Sequence, residues 1–271
     1  MSVRVLQAAA MASLVVVFGC TSEEASFPLV ERDLPVVAWT GDRVFVYGGS
    51  PEIPTTGTVW PRPYGDAALW DPTTGDFESI ADPPFPLPLN VGAGAVVVDG
   101  SVVLVGGLCE TVAYTPDDAS TRCDPGTFAA ARYSVDDDDW QALAPPAELA
   151  AYENPSITGL GATSDGRAVF SVASRGRRLW AVGSDDRWEA LPPYPGTVQA
   201  YVGPLCLLGD TVVAASRNPD REVVRYTLAL DDDSPSWQEL EVADERLCDD
   251  PGPLVEWPPG GTEPVVTGIG G

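Results

Sequence analysis

The chain of 271 residues contains no lysine and no histidine, so all 15 of its basic side chains are arginines, set against 40 aspartates and glutamates. Without histidine, the commonest general base and metal ligand is missing, which excludes every site built on imidazole. A formal charge of −25 repels a polyanion, which excludes nucleic acid as a partner. Methionine is scarce, at two residues, and the five cysteines contain no C-x-x-C pair of the kind that zinc sites use. No stretch reaches the ~20 consecutive apolar residues of a membrane span. What the chain does have is a hydrophobic content of 44%, enough to bury a core and to exclude disorder throughout.

Its first twenty residues, "MSVRVLQAAAMASLVVVFGC", join one arginine to a short apolar run that ends at Gly19-Cys20. This reads as an export signal. It resembles a bacterial lipoprotein signal peptide, in which residues 1–19 are removed and the cysteine, here Cys20, becomes the acylated first residue. Phe18 is bulkier than that pattern prefers, and an ordinary secretory signal is the alternative. Residues 20–34 then read as a tether, and the expected location is extracytoplasmic, held to the membrane by lipid at the cell surface or in the periplasm.

One phrase recurs along the remainder. "DDDDWQALAPP" (136–146) returns as "GSDDRWEALPP" (183–193), "DDDSPSWQEL" (231–240) and, more faintly, "TGDFESIADPP" (74–84). An apolar hairpin precedes each copy: "VVAWTGDRVFVYGG" (36–49), "GAVVVDGSVVLVGG" (94–107), "LGATSDGRAVFSVAS" (160–174) and "PLCLLGDTVVAAS" (204–216). Gly and Asp between β-rich runs signal a tight turn, because both tolerate the positive φ that it needs. We label these strands a and b. A third strand, c, carries Tyr or Trp in "DAALWD" (66–71), "AAARYSV" (129–135), "RLWAVG" (178–183) and "EVVRYTL" (222–228), and the acidic phrase supplies the turn into strand d. The aromatic residues of strand d, Phe77, Trp140, Trp188 and Trp237, recur at 48 to 63 residues, the spacing of a repeat architecture.

Within strand d the aromatic and the leucine stand three apart, as Trp140 and Leu143 do, and so lie on opposite faces. Such a strand needs cover on both sides, which radially stacked sheets supply. The expected fold is therefore an all-β propeller of four-stranded antiparallel blades over residues 35–271, with four complete blades and a partial fifth in "PLVEWPPGGTEPVVTGIGG" (253–271).

The double glycines Gly48-Gly49 and Gly106-Gly107, the strand c aromatics Trp70, Tyr133, Trp180 and Tyr226, and the W-x-x-L of strand d together resemble the kelch repeat. That resemblance covers residues 35–243, although "SVAS" and "AAS" replace the double glycine in the third and fourth units. Kelch rings usually hold six or seven blades. Either the chain is a piece of such a ring, or a five-bladed ring closes by borrowing a strand from about residues 27–34. The family's propellers are most often interaction platforms. Galactose oxidase shares the propeller, but its copper site needs histidines that this chain does not have. The S-x-D-x-G-x-x-W turn of sialidases is not reproduced by "DPTTGDF" (71–77).

With Cys20 acylated, Cys109, Cys123, Cys206 and Cys248 remain, an even number in an exported chain, and disulfides are expected. Of the three possible pairings, Cys109 with Cys123 needs the shortest loop, which leaves Cys206 with Cys248. The runs Asp136–Asp139 and Asp231–Asp233 do not match a calcium loop and read as solvated turns. With Asp42, Asp99, Asp165 and Asp210 they should make one end of the propeller acidic.

At the opposite end the long b–c loops "SPEIPTTGTVWPRPYG" (50–65) and "LCETVAYTPDDASTRCDPGT" (108–127) gather Trp60, Arg62, Tyr64, Tyr114 and Arg122. The d–a crossings add Phe85, Tyr152 and Tyr194. Loops of this length are usually functional or disordered, and Trp, Tyr and Arg are the types enriched at binding hot spots; the alternative is that these aromatics only pack their own proline-rich loops. The expected function is non-enzymatic binding of an unknown protein or glycan at the cell envelope, with no cofactor, no metal and no catalytic residue. The alternative is a secreted glycosidase or sialidase-like enzyme working through carboxylates, for which Glu110 and Glu153 are the candidates. Stable anchoring takes two acyl chains, so Cys20→Ala should move the protein from the membrane fraction to the soluble fraction of fractionated cells.

Overall fold

A computed structural model describes residues 35–50, 63–89, 92–108, 128–150, 156–173, 177–194, 205–217 and 223–240, Leu29 and Arg32, and the backbone of five short strands elsewhere. The first sheet runs β1 (Val36–Trp39), β2 (Val44–Tyr47), β4 (Ala67–Trp70) and β5 (Phe77–Ser79), with β3 (Val59–Trp60) set into the loop between β2 and β4. The second comprises β6 (Gly94–Val98), β7 (Ser101–Gly107), β10 (Phe128–Ser134) and β11 (Asp139–Leu143), and its long loop holds β8 (Val112–Thr115) and β9 (Ser120–Cys123).

A one-turn helix, Ala147–Ala150, follows and leads to the third sheet: β12 (Ser156–Ala162), β13 (Ala168–Ala173), β14 (Arg177–Val182) and β15 (Trp188–Ala190). The fourth comprises β16 (Cys206–Leu208), β17 (Thr211–Arg217), β18 (Val223–Ala229) and β19 (Trp237–Leu240). A fifth sheet has two described strands, β20 (Leu254–Glu256) and β21 (Val265–Thr267). Each of the four full sheets is an antiparallel meander, as the hairpin and turn signals require, and together they form four propeller blades. The innermost strands line up in succession: β1 meets β6, β6 meets β12, β12 meets β16, and β20 lies against β1.

The core sits between the blades. Phe45, Tyr47 and Leu69 of the first blade pack on Val102, Leu104 and Tyr133 of the second. Val103, Val105 and Phe128 of the second meet Ala168, Phe170 and Trp180 of the third. Val169, Leu179 and Ala181 of the third meet Val212 and Leu228 of the fourth. Strand b is therefore buried on both faces: Val44, Phe45 and Val46 have no exposed surface. Such strands read as continuous apolar runs without alternation, and "VFVY" and "VVLV" do.

The three-residue offset in strand d acts as its geometry demands. Trp140 packs toward the first blade and Leu143 toward the third. Trp188 packs toward the second and Leu191 toward the fourth. The indole of Trp140 also donates to the Ala81 carbonyl at 2.7 Å, just past strand d of the preceding blade, and Trp237 donates to Pro192 at 3.1 Å in the same relation. Trp188 finds no such acceptor in the structure.

Two details depart from the sequence pattern. The strand c aromatics are not equivalent: Trp70 and Tyr133 stand opposite Phe77 and Trp140, but the residues opposite Trp188 and Trp237 are Val182 and Leu228. Trp180 and Tyr226 lie two residues earlier, a shift that keeps the face because strands alternate with a period of two. The double glycines differ as well. Gly48 and Gly49 take φ of 64° and 88°, which bends the chain out of β2, whereas Gly106-Gly107 simply end β7. Of residues 27–34, Leu29 covers the outer face of the first blade against Val44, Val46 and Trp70.

Trp140→Ala should cost about 3 kcal/mol, near the lower bound for truncating a large aromatic, because it empties the blade junction and removes the hydrogen bond. Gln238→Ala, on an exposed position of β19, should change stability by less than ~0.5 kcal/mol in the same urea titration.

Candidate functional site

The meander sends the a–b and c–d turns to one end of the propeller and the b–c and d–a loops to the other. At the turn end, carboxylates are engaged in holding the turns. Asp138 accepts from the Tyr133 hydroxyl at 2.9 Å and from the Ala81 amide at 3.0 Å, which ties the second blade to the exit of the first. Asp186 of the third blade accepts from Arg132 and Gln141 of the second. Asp210 of the fourth accepts from the amide and hydroxyl of Ser164 in the third, and these bonds hold its carboxyl below the usual range.

Burial raises the Tyr133 phenol well above its ordinary value, and its bond to Asp138 adds to the shift, so it stays a donor. Arg43 reaches Glu78 at 2.8 Å in the first blade, and Arg167 reaches Glu189 at 3.1 Å in the third, the same brace from strand b to strand d. Asp136–Asp139 and Asp231–Asp233 are exposed. Among the described residues, no group of three potential metal-ligating side chains is placed to hold an ion.

At the other end, the two long b–c loops join. Strand β3 of the first loop pairs with β8 of the second, and β8 pairs with β9, making a three-stranded antiparallel sheet from two different blades. Trp60 stands opposite Val112, which stands opposite Cys123; Ala113 stands opposite Arg122, and Tyr114 opposite Thr121. Trp60 and Val112 thus share one cross-strand row and Tyr114 and Thr121 the next but one, with Ala113 and Arg122 in the row between them. Arg62, Tyr152, Cys20, Cys109 and Cys248 lie outside the described residues. Cys206, on the inner strand of the fourth blade, is not a free thiol.

Tyr64 is described, and its surroundings were not expected. The Arg32 guanidinium lies 4.6 Å from the centre of its ring. Arg32 is also bonded in a fork to both oxygens of Asp66, at 2.8 and 3.0 Å, and to the Gly48 carbonyl at 2.8 Å. One buried cation thus joins the segment before β1, the end of β2 and the start of β4. Nothing in "VERDLP" distinguishes Arg32 from a tether residue, and only the fold brings Asp66 to it.

Beside Tyr64 opens a cleft of about 390 Å³ whose walls include Tyr47, Phe85 and Asp82, together with prolines from both loop segments. Tyr47 is fixed by accepting from the Leu89 amide, at 3.0 Å, and burial raises its phenol far above the ordinary value. Phe85 is held edge-on by Tyr47 and Trp140, with ring centres 6.4 Å apart in both pairs. Tyr194 serves a different junction: its hydroxyl donates to the Ala215 carbonyl at 2.6 Å, and its ring meets Trp237 edge-on at 5.6 Å.

The Arg32 side chain is fully buried, while that of Asp66 is 43% exposed. Removing the carboxylate takes the charged partner from a buried guanidinium, whereas removing the arginine leaves a carboxylate that water can reach. Asp66→Ala should therefore cost about 3 kcal/mol and Arg32→Met about 1 to 2 kcal/mol, in that order, by thermal unfolding.

No protein-family model matches the chain. No curated protein matches it either. Among solved structures it is similar to one titled "Structure of YjhT", with 14% identity, a TM-score of 0.47, and coverage of 79% of this chain and 66% of that one. The chain thus spans slightly less than two thirds of that structure's length.

Proposed function

We propose that this protein is a kelch-type propeller, anchored through lipid on Cys20 outside the cytoplasm, that binds a protein or glycan partner through the end bearing its b–c and d–a loops and performs no chemistry. The observation that carries this reading is the sheet made by β3, β8 and β9. Two loops of 16 and 20 residues from neighbouring blades would lose much entropy if each were ordered separately by a ligand. Pairing backbone to backbone, which sets the strand positions of Trp60, Tyr114 and Arg122 relative to one another, supports a binding end that needs less ordering by a partner. A disulfide between Cys109 and Cys123 would close the second loop across β8 and β9, and one between Cys206 and Cys248 would tie the fourth blade to the approach to the fifth. The enzymatic alternative rests on Glu110 and Glu153, both outside the described residues.

Once a partner has been recovered by cross-linking in the envelope fraction, Trp60→Ala and Tyr114→Ala should each weaken its binding more than about tenfold in titration calorimetry, as central aromatic hot spots do. Neutralising Asp136–Asp139 should leave the affinity nearly unchanged. The reverse pattern would move the binding surface to the acidic end.

A further inference from the structure

The cleft beside Tyr64 has a specific chemical character. Among the described residues Asp82 is the only charged side chain that lines it, its side chain is exposed, and aromatic rings, prolines, Gly65 and Leu87 form the rest of the described wall. Arg32, which stacks on Tyr64, is itself committed to Asp66 and the Gly48 carbonyl. Among the described residues no cation pairs with Asp82, so the cleft presents a carboxylate beside aromatic surface, on a protein of formal charge −25.

Arg32 displays within the same fold what such a setting recognises: a guanidinium stacked 4.6 Å over a tyrosine ring while its fork engages a carboxylate. Guanidinium suits this arrangement better than ammonium because it is planar, weakly hydrated and bidentate. The aromatic wall is also fixed in advance, since Phe85 is held by Tyr47 and Trp140, and Tyr47 by the Leu89 amide.

We propose that this cleft receives an arginine side chain from a partner protein, with the guanidinium against the Tyr64 and Phe85 wall and its fork on Asp82. The inference rests on the reading of the loop end as the binding end, and it makes the partner a protein with an exposed arginine and not a glycan. The contact is electrostatic and aromatic together, so it weakens with salt without vanishing.

The test uses the full chain and a small probe, N-acetyl-arginine amide, followed by backbone amide shifts in a titration. The expected result is saturable shifts at Tyr64, Gly65, Asp82 and Phe85, with much smaller ones for the neutral isostere N-acetyl-citrulline amide. Asp82→Asn, on an exposed side chain that the fold does not use, should weaken binding at least about fivefold, the scale of a lost charge-assisted bond. Tyr64→Phe should keep the affinity within about twofold because it keeps the ring. Equal shifts from the citrulline probe, equal affinity for N-acetyl-lysine amide, or an Asp82→Asn variant that binds as wild type would each overturn the proposal. If monosaccharides shift these residues and the arginine probe does not, this inference fails while the loop end stands as the binding end. If the arginine probe binds here but a partner's affinity is indifferent to Trp60 and Tyr114, the cleft stands and the wider reading fails.

Discussion

The architecture depends on one local arrangement: an outer strand whose aromatic and aliphatic residues stand three apart and so face opposite neighbours. Trp140 looks back at the first blade and Leu143 forward at the third, and Trp188 and Leu191 repeat this one blade further on. Each blade is thereby unable to bury its own surface and completes that of its neighbours. An isolated four-stranded sheet with both faces apolar would expose them to water, so the repeat is stable only as a stack. The indole bonds from Trp140 to Ala81 and from Trp237 to Pro192 add direction to what would otherwise be unspecific packing.

That arrangement assigns different work to the two ends. The turn end carries most of the identified acidic groups, and several are used as braces between blades: Asp138 to Ala81, Asp186 to Arg132, Asp210 to Ser164. A carboxylate at a tight turn accepts amide and hydroxyl donors that the turn itself leaves without partners, which is why aspartate recurs there. At the loop end, among the described residues, β3, β8 and β9 pair across two blades and one buried arginine joins three segments.

The strands were legible because their causes are local. Alternation, apolar runs and Gly/Asp turns are written within fewer than 15 consecutive residues, and the hairpins at 36–49 and 94–107 formed where those signals stood. Equivalence between blades was less legible: the strand c aromatics align in the first two blades and slip by two residues in the others, a shift that preserves burial and so leaves no mark on the pattern. The contact of Arg32 with Asp66 was not legible, since 34 residues separate them and the energy that joins them exists only once both are removed from water.

What the sequence determined by itself is the unit: four strands, an acidic turn, and an aromatic and a leucine on opposite faces, each set by residues close enough to interact in any compact state. It also determined the chemistry excluded, because a chain without histidine or lysine cannot acquire them by folding. Only the tertiary structure decided that loops from two blades share one sheet, and that a cation from the segment before the first strand lies under Tyr64. It alone opened a cleft beside that ring with Asp82 as the only charge among its described lining residues. Those are relations between segments far apart in the chain. Their free energy depends on distances that the stacking of blades sets and that no local pattern encodes.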